Sequence, residues 1–249
     1  MVKRRDIIPA NLELLHNGEQ QLRTKALGII SGDERLRLHL ALIEAVMNLA
    51  DLFRQFETAD EDLKVAQFLG MRTFNAFGAS LKLALSGYHQ NSALILRDVL
   101  ETIFLLDMFA GDRSQIERWR FADRKARMKY FSPVKVRQQL DTRDGFTSKK
   151  RASLYELFSE LAGHPNMNST LMMRPQKDGD AVIGPFMEST TLFAGISEMG
   201  RLAVQFGEVL VLFVPTDWNA GLSCRLAFAQ LKRDWVSTFY PTLQNKSPQ

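Results

Sequence analysis

The stretch NSALILRDVLETIFLLDMF, residues 91–109, constrains the arrangement of the whole chain. Placed on a helix, its apolar side chains cover nearly the full circumference. A helix of this kind is normally buried on every side, so other helices must enclose it. Arg97 and Glu101 lie one turn apart at its centre. Two charged groups in such surroundings need a partner or a function.

Arg97 and Glu101 share one helix face, because residues four apart are neighbours on a helix. Around Arg97 this spacing places Ala93, Leu100 and Phe104, so the arginine lies outside the polar stripe of the helix. One hypothesis is a buried ion pair that fixes helix register. The other is a charged cavity in which Arg97 binds a phosphate or another anion through its forked guanidinium.

Helical signals also dominate the rest of the chain. The pattern predicts an all-α bundle of about eight to nine helices, forming one domain over residues 1–249. Within residues 171–186, Asp178-Gly179 is typical of a type I′ turn and predicts a small β-hairpin inserted in the bundle. Residues 244–249 are predicted to be a disordered tail.

Helix starts are predicted from capping residues. Ser31-Gly-Asp-Glu34 and Thr58-Ala-Asp-Glu61 both match the capping box, in which Ser or Thr and Glu satisfy free backbone donors. Ser132-Pro133 suits a further start, with proline at the first helical position. Residues 114–131 are predicted to form a single helix, which begins at Ser114.

Composition limits the class of protein. The chain has 249 residues, a net charge of +4 and one cysteine, Cys224, so an internal disulfide is excluded. No apolar run approaches the roughly 18 residues of a membrane span, and the basic N-terminus is not followed by the apolar segment of a secretory signal. These features predict a cytoplasmic protein without membrane contact.

The positive charge is concentrated in residues 112–151, which contain 13 Lys and Arg against 5 Asp and Glu. A cluster of this kind attracts phosphates, and RNA or another phosphate-bearing ligand is therefore a candidate partner. Phe121, Tyr130 and Phe131 are interleaved with the cations and could stack on bases, or could belong to the core. The alternative is an ordinary solvated face. The candidate nucleic-acid-binding residues are Arg118, Arg120, Arg124, Lys125, Arg127 and Lys129.

His164 follows a predicted helix that ends at Gly163. A histidine there is favoured by the helix dipole alone, which gives it a structural explanation. If the fold brings His164 beside Arg97 and Glu101, the three residues form a candidate catalytic acid–base cluster. Glu13-x-x-His16 has the spacing of a carboxylate-bridged metal site but no second copy, and His39 and His89 have no metal-ligand spacing to another His or Cys. Since a glycine-rich phosphate loop is also missing from the sequence, neither a metal nor a cofactor is predicted.

A family resemblance rests on residues 81–186. The segment LKLALSGY, followed by Arg97 and Glu101, then Arg118-Trp119, and Tyr155 with His164 before the hairpin, resembles a group of uncharacterised bacterial all-helical proteins. That group is similar in layout to the HEPN superfamily, many of whose members are dimeric ribonucleases. The resemblance implies a homodimer and metal-independent RNA cleavage. HEPN nucleases carry an Arg shortly before a His, whereas here the nearest Arg before His164 is Arg151.

Three functions follow as hypotheses. The leading one is a binding or regulatory module whose polar cluster is Arg97, Glu101 and His164. The second is a HEPN-like ribonuclease of a toxin or antiphage system, in which His164 transfers a proton and Arg97 stabilises the transition state. The third is a nucleic-acid-binding protein that uses residues 112–151. Whether the protein is an enzyme is left open by the sequence.

Overall fold

A computed structural model describes residues 9–148, 150–176 and 178–241. Within these ranges the protein is all-helical, as predicted, with ten α-helices in place of the eight or nine expected. A π-helical segment (Ser159–Gly163) and a 3₁₀ helix (Met167–Met173) follow the eighth α-helix. The α-helices are α1 (Ala10–Ser31), α2 (Glu34–Phe53), α3 (Glu61–Leu85), α4 (His89–Gly111), α5 (Ser114–Arg120), α6 (Arg124–Tyr130), α7 (Pro133–Arg143), α8 (Lys150–Phe158), α9 (Ser189–Leu210) and α10 (Asn219–Phe239).

The predicted apolar helix is α4, and other helices enclose it. Twelve of its residues are buried, among them Val99 and Leu100, which are fully inaccessible. Its most extensive contact is with α3, followed by α9, while α7, α8 and the π-helical segment cover the remaining side. Burial of this many apolar side chains is the main source of stability in a bundle. None of the helices in the described ranges is both long and apolar enough to span a bilayer.

The capping-box predictions for α2 and α3 are wrong by two residues. Asp33 caps α2 and accepts hydrogen bonds from the backbone N–H groups of Arg35 and Leu36. Asp60 caps α3 in the same way, and the Thr58 hydroxyl accepts from the Asp60 N–H instead of capping the helix. In both motifs an aspartate precedes the glutamate. Its ionised carboxylate accepts two N–H groups at the positive end of the helix dipole, which favours it over a neutral hydroxyl.

The single helix predicted over residues 114–131 is divided into α5 and α6, which accounts for the tenth helix. α5 ends at Arg120 with Phe121 as its C-cap, Ala122 is buried, and Asp123 caps α6 by accepting from the Ala126 N–H. Aspartate is a poor helix-interior residue and a strong N-cap, so a break immediately before α6 agrees with its preference. The start of α7 at Pro133, after Ser132, is confirmed.

The β-hairpin predicted at residues 171–186 is absent from the described part of this segment, where no strand forms. One backbone bond, from the Val182 N–H to the Met173 carbonyl, closes a loop instead. A type I′ turn needs positive φ at both central residues, and Gly179 is not among the glycines with positive φ. The 3₁₀ helix, which ends at Met173, also covers residues 171–173, where the predicted hairpin would begin. The predicted tail, residues 244–249, lies outside the described residues, and the single-domain assignment stays a prediction.

A buried histidine joins α2, α9 and α10. The indole N–H of Trp235 donates to His39 Nδ1 at 2.9 Å, and His39 Nε2 lies 3.2 Å from the Ser197 hydroxyl. The imidazole stacks on Phe239 with ring centres 4.2 Å apart. Because Nδ1 accepts a hydrogen bond, the proton of the neutral ring belongs on Nε2. Burial, reinforced by the charges of Arg201 and Arg35, lowers the pKa of His39 to about 4.

We expect this histidine to make the fold sensitive to acid. In the unfolded chain His39 takes up a proton near its ordinary pKa of 6.5, whereas the folded chain excludes that proton until about pH 4. The free energy of unfolding therefore falls as the pH is lowered through this window, by about 3 kcal/mol for this residue. His39→Gln keeps an acceptor for Trp235 but cannot titrate, so chemical denaturation should show a flatter pH profile for that variant. The exposed His16 provides the control, His16→Gln. Equal pH dependence in wild type and His39→Gln would contradict the assignment.

Candidate functional site

Arg97 projects from α4 to the junction with α8 and is held mainly by Tyr155. Its Nη2 donates to the Tyr155 hydroxyl, and its guanidinium carbon lies 4.7 Å from the centre of the Tyr155 ring. The Nε atom lies 3.4 Å from Glu101 Oε1, in an ion pair without hydrogen-bond geometry. The side chains of Arg97 and Glu101 are 21% and 30% exposed. The pair predicted at the centre of the helix therefore lies at a seam between helices.

A second arginine shares the same tyrosine. Arg137 of α7 is buried, and its guanidinium carbon lies 3.9 Å from the centre of the Tyr155 ring. Its Nη1 is buried and makes no hydrogen bond among the described residues. Two cations on one aromatic ring are each stabilised by the negative face of that ring. Tyr155 thus joins α4, α7 and α8. No local pattern in the sequence indicates this role of Arg137.

Glu101 also lines a cavity of about 240 Å³ between α3, α4 and α7. Its walls include the aromatic rings of Phe104, Trp119 and Phe131. The exposed ion pair of Arg72 and Asp98 forms a polar part of the wall. Arg97 is not among the residues of this wall. Phe131, one of the three aromatic residues that the sequence offered for base stacking, therefore packs inside the fold.

His164 follows the π-helical segment, and its backbone N–H donates to the Ser159 carbonyl at 3.0 Å. A Cβ on the preceding residue, Gly163, would lie 2.5 Å from Arg97 Nη1, so glycine permits the close approach of the guanidinium. The His164 side chain itself is exposed and has no hydrogen bond or ion pair among the described residues. The fold brings Arg97 to the backbone beside His164, but no described contact joins the two side chains.

The basic residues predicted to bind nucleic acid share the surface of α5 and α6, hereafter the α5–α6 surface. Residues 114–130, which span α5 and α6, contain six Lys and Arg against two acids, Glu117 and Asp123, and the Asp123 carboxylate is occupied as the cap of α6. Arg120 pairs with Glu61 at 2.7 Å, and Arg118 donates to the Gln115 amide oxygen. Arg127, which is exposed, donates to the Ala122 carbonyl.

Arg124 and Lys125 are exposed and form no ion pair or hydrogen bond through their side chains within the described ranges. Lys129 lies 4.8 Å above the Tyr130 ring, where it lowers the pKa of the tyrosine through a hydrogen bond and its charge. The α5–α6 surface therefore carries a positive charge that few nearby carboxylates offset. Such a surface attracts polyanions over a distance set by ionic strength.

Two aromatic rings accompany these cations at the surface. Phe121 is 75% exposed, an unusual state for a phenylalanine, and Arg120 lies 5.4 Å from its ring centre. Tyr130 is 36% exposed, with Arg118 5.1 Å from its ring centre. Exposed rings between guanidinium groups are the arrangement with which proteins stack unpaired bases.

Near the C-terminal end of the basic residues 112–151, Arg143 and Arg151 form ion pairs that hold helices together. Arg143 bridges Asp107 at 3.0 Å and Asp144 at 2.7 Å, and Arg151 bonds to Asp141 and Asp144. Hydrogen bonds from Arg143 and then Arg151 lower the pKa of Asp144 to about 2. This network ties α7 to α4 and to the start of α8. Its two arginines are neutralised and are not available to an external phosphate.

Comparisons with known proteins identify no relative of this chain. No protein-family model, no curated protein and no solved structure matches it. The resemblance to HEPN proteins consequently stays a prediction, as does the homodimer. Among the described residues, no group of three or more His, Cys, Asp or Glu side chains is arranged to hold a metal ion.

The packing around Arg97 predicts which partner holds it. In double-mutant cycles of Arg97→Gln with Tyr155→Phe, we expect a coupling of about 1–2 kcal/mol in the free energy of unfolding, because a charged guanidinium donates this hydrogen bond and the contact is partly buried. The cycle of Arg97→Gln with Glu101→Gln should give less than about 1 kcal/mol, since that contact is longer and partly exposed. A larger coupling to Glu101 would show that the ion pair, and not Tyr155, fixes the arginine.

Proposed function

We propose that this protein binds single-stranded nucleic acid, RNA in particular, through the α5–α6 surface. The observation that carries the proposal is the exposure of Phe121 and Tyr130 among the six basic side chains of a surface that has two acids, Glu117 and Asp123. Phosphate contacts supply affinity without sequence preference, and base stacking supplies the preference for unpaired strands. Both kinds of group are present on one surface.

The dimensions of the surface favour a single strand over a duplex. Duplex readers commonly insert a helix or a two-stranded ribbon into the major groove. α5 and α6 have seven residues each, about 10 Å of helix apiece, and a break separates them at Phe121. The exposed ring thus lies at the junction of two short helices, where it can meet an unstacked base but cannot reach one inside a duplex.

Cleavage by Arg97, Glu101 and His164 has less support. The Arg97 guanidinium already contacts Tyr155 and Glu101, and the side chain of His164 is exposed without a described contact to either residue of the pair. A transition-state phosphate would need Arg97 to exchange these partners. The ribonuclease hypothesis therefore stays a prediction, and binding without cleavage by these residues is the function that the geometry favours.

The role of the cations is tested by the salt dependence of binding. Fluorescence anisotropy with a labelled oligouridylate of about 12 nucleotides should show log K falling linearly with log salt. Arg124→Gln and Lys125→Gln should each reduce that slope by about 0.7, because each removes one phosphate contact from a single strand. Neither residue has an ion pair to lose in the described structure, so stability should change little.

The matched control is Lys82→Gln. Lys82 is exposed in the last turn of α3, whose first turn holds Glu61, the partner of Arg120. Twenty-one residues of helix place it about 30 Å from that end. Binding that is insensitive to salt, or equal weakening by Lys82→Gln and Lys125→Gln, would overturn the proposal. Tighter binding to a duplex of the same length would exclude the single-strand preference.

Stacking is tested at Phe121. Phe121→Ala should weaken binding to the oligouridylate by about 1–3 kcal/mol, since one stacked base is lost. The melting temperature should remain near that of wild type because the ring is 75% exposed. Phe121→Trp restores an aromatic face and should restore affinity. If Phe121→Ala binds as well as wild type, or if the tryptophan variant binds as weakly as the alanine variant, Phe121 is not a stacking residue.

A further inference from the structure

A second site lies in a cavity of about 440 Å³ between α4, α9, the end of α8 and the 3₁₀ helix. Its volume falls in the range of small-molecule sites. The large apolar side chains of its wall are those of Leu96, Leu157, Phe158, Leu161, Leu171 and Met172. Leu161 belongs to the π-helical segment, a rare conformation that is frequent at functional sites.

Within the part of the chain that the structure describes, Arg174 lines this apolar cavity without a carboxylate partner. Arg174 follows the 3₁₀ helix directly, and its Nε is buried and makes no hydrogen bond among the described residues. The carboxylate in the described wall belongs to Glu198, which is paired with Arg201. His89 is also engaged, since its Nε2 lies 3.1 Å from the Phe186 carbonyl oxygen. Partial burial of an unpaired guanidinium is unfavourable, and an incoming anion would relieve that cost.

The start of α9 adds a second feature that favours negative charge. Thr190 and Thr191, in its first turn, line the cavity. Glu188 occupies the N-cap position without a side-chain capping bond and is not part of the described wall. The first backbone N–H groups of α9 therefore lack a side-chain cap, at the positive end of a helix of 22 residues.

We infer that this cavity binds a small amphipathic carboxylate, a molecule with an apolar body and one anionic group. The apolar wall covers the body, while Arg174, aided by the first turn of α9, pairs with the carboxylate. The site is built from α4, α8 and α9 and shares no residue with the α5–α6 surface. The inference is thus independent of the proposed nucleic-acid binding.

Gly195 provides a way to close the cavity without disturbing the backbone. It lies on the cavity-lining face of α9, between Ala194 and Ile196, and a Cβ built on it meets no atom within 4 Å. Its φ is not positive, so a side chain is compatible with the helix. Gly195→Leu should therefore fill the cavity and retain the fold. Gly28→Leu in α1 is the matched control, since Gly28 also has open space at its Cβ and lies outside the cavity.

The test uses decanoate as the probe and decanol as its uncharged counterpart, with the full chain in isothermal titration calorimetry below the micellar range. We expect wild type to bind decanoate with a dissociation constant below about 1 mM and to bind decanol more weakly. Arg174→Gln should weaken decanoate binding about tenfold and leave decanol binding unchanged. Gly195→Leu should abolish binding of both probes, and Gly28→Leu should bind as wild type does.

Three outcomes would overturn the inference. The first is the absence of decanoate binding to wild type, and the second is equal affinity of wild type for decanoate and decanol. The third is unchanged binding by Gly195→Leu, which would place the probe elsewhere on the molecule. If Gly195→Leu proves unstable by circular dichroism, Ala194→Leu on the same lining face is the replacement. Its side chain is exposed at the cavity, so the larger residue is accommodated.

Discussion

The enclosure of α4 is the constraint on which the rest of the structure depends. A helix with apolar side chains on all sides cannot remain in water, so its neighbours must supply complementary surfaces over its whole length. Long helices do so on two sides, α3 and α9. The third side is covered by shorter pieces, α7, α8 and the π-helical segment. Arg97 and Glu101 lie on that third side, where short elements leave seams wide enough for partly exposed charges.

The difference between the long helices on two sides of α4 and the short elements on its third side also explains where polar contacts and cavities occur. Tyr155 reaches Arg97 across the seam between α4 and α8, and Arg137 approaches the ring from α7. The cavity that contains Arg174 opens where the π-helical segment and the 3₁₀ helix replace a regular helix against α4 and α9. Short irregular elements cannot interdigitate with a long helix as completely as another long helix can. The buried, unpaired nitrogens of Arg97, Arg137 and Arg174 all belong to this irregular side.

The long helices were well predicted from the sequence, because a helix with a buried face has apolar residues at regular helical spacing. Their starts were predicted less well, since Ser31 and Asp33 are both good caps and only the folded backbone decides between them. The hairpin failed for a related reason, because Asp178-Gly179 permits a type I′ turn without requiring it. The His39–Trp235 hydrogen bond joins residues 196 positions apart and has no local signal at all. The same holds for Arg137 and for the cavity beside Arg174.

The sequence is least informative about which charged side chains form ion pairs in the fold. Residues 112–151 have a net positive charge, yet the fold separates this stretch into two parts with opposite roles. Arg143 and Arg151 are neutralised by carboxylates, one of which, Asp107, comes from α4. Arg124 and Lys125 have no such partner among the described residues, and the carboxylate nearest to them in sequence, that of Asp123, is occupied as the cap of α6. A count of charges cannot distinguish a cation that holds two helices together from one that is free to meet a phosphate. The distinction arises only in the fold, where α4 brings Asp107 to Arg143 and Arg151, while Arg124 and Lys125 stay exposed on the α5–α6 surface.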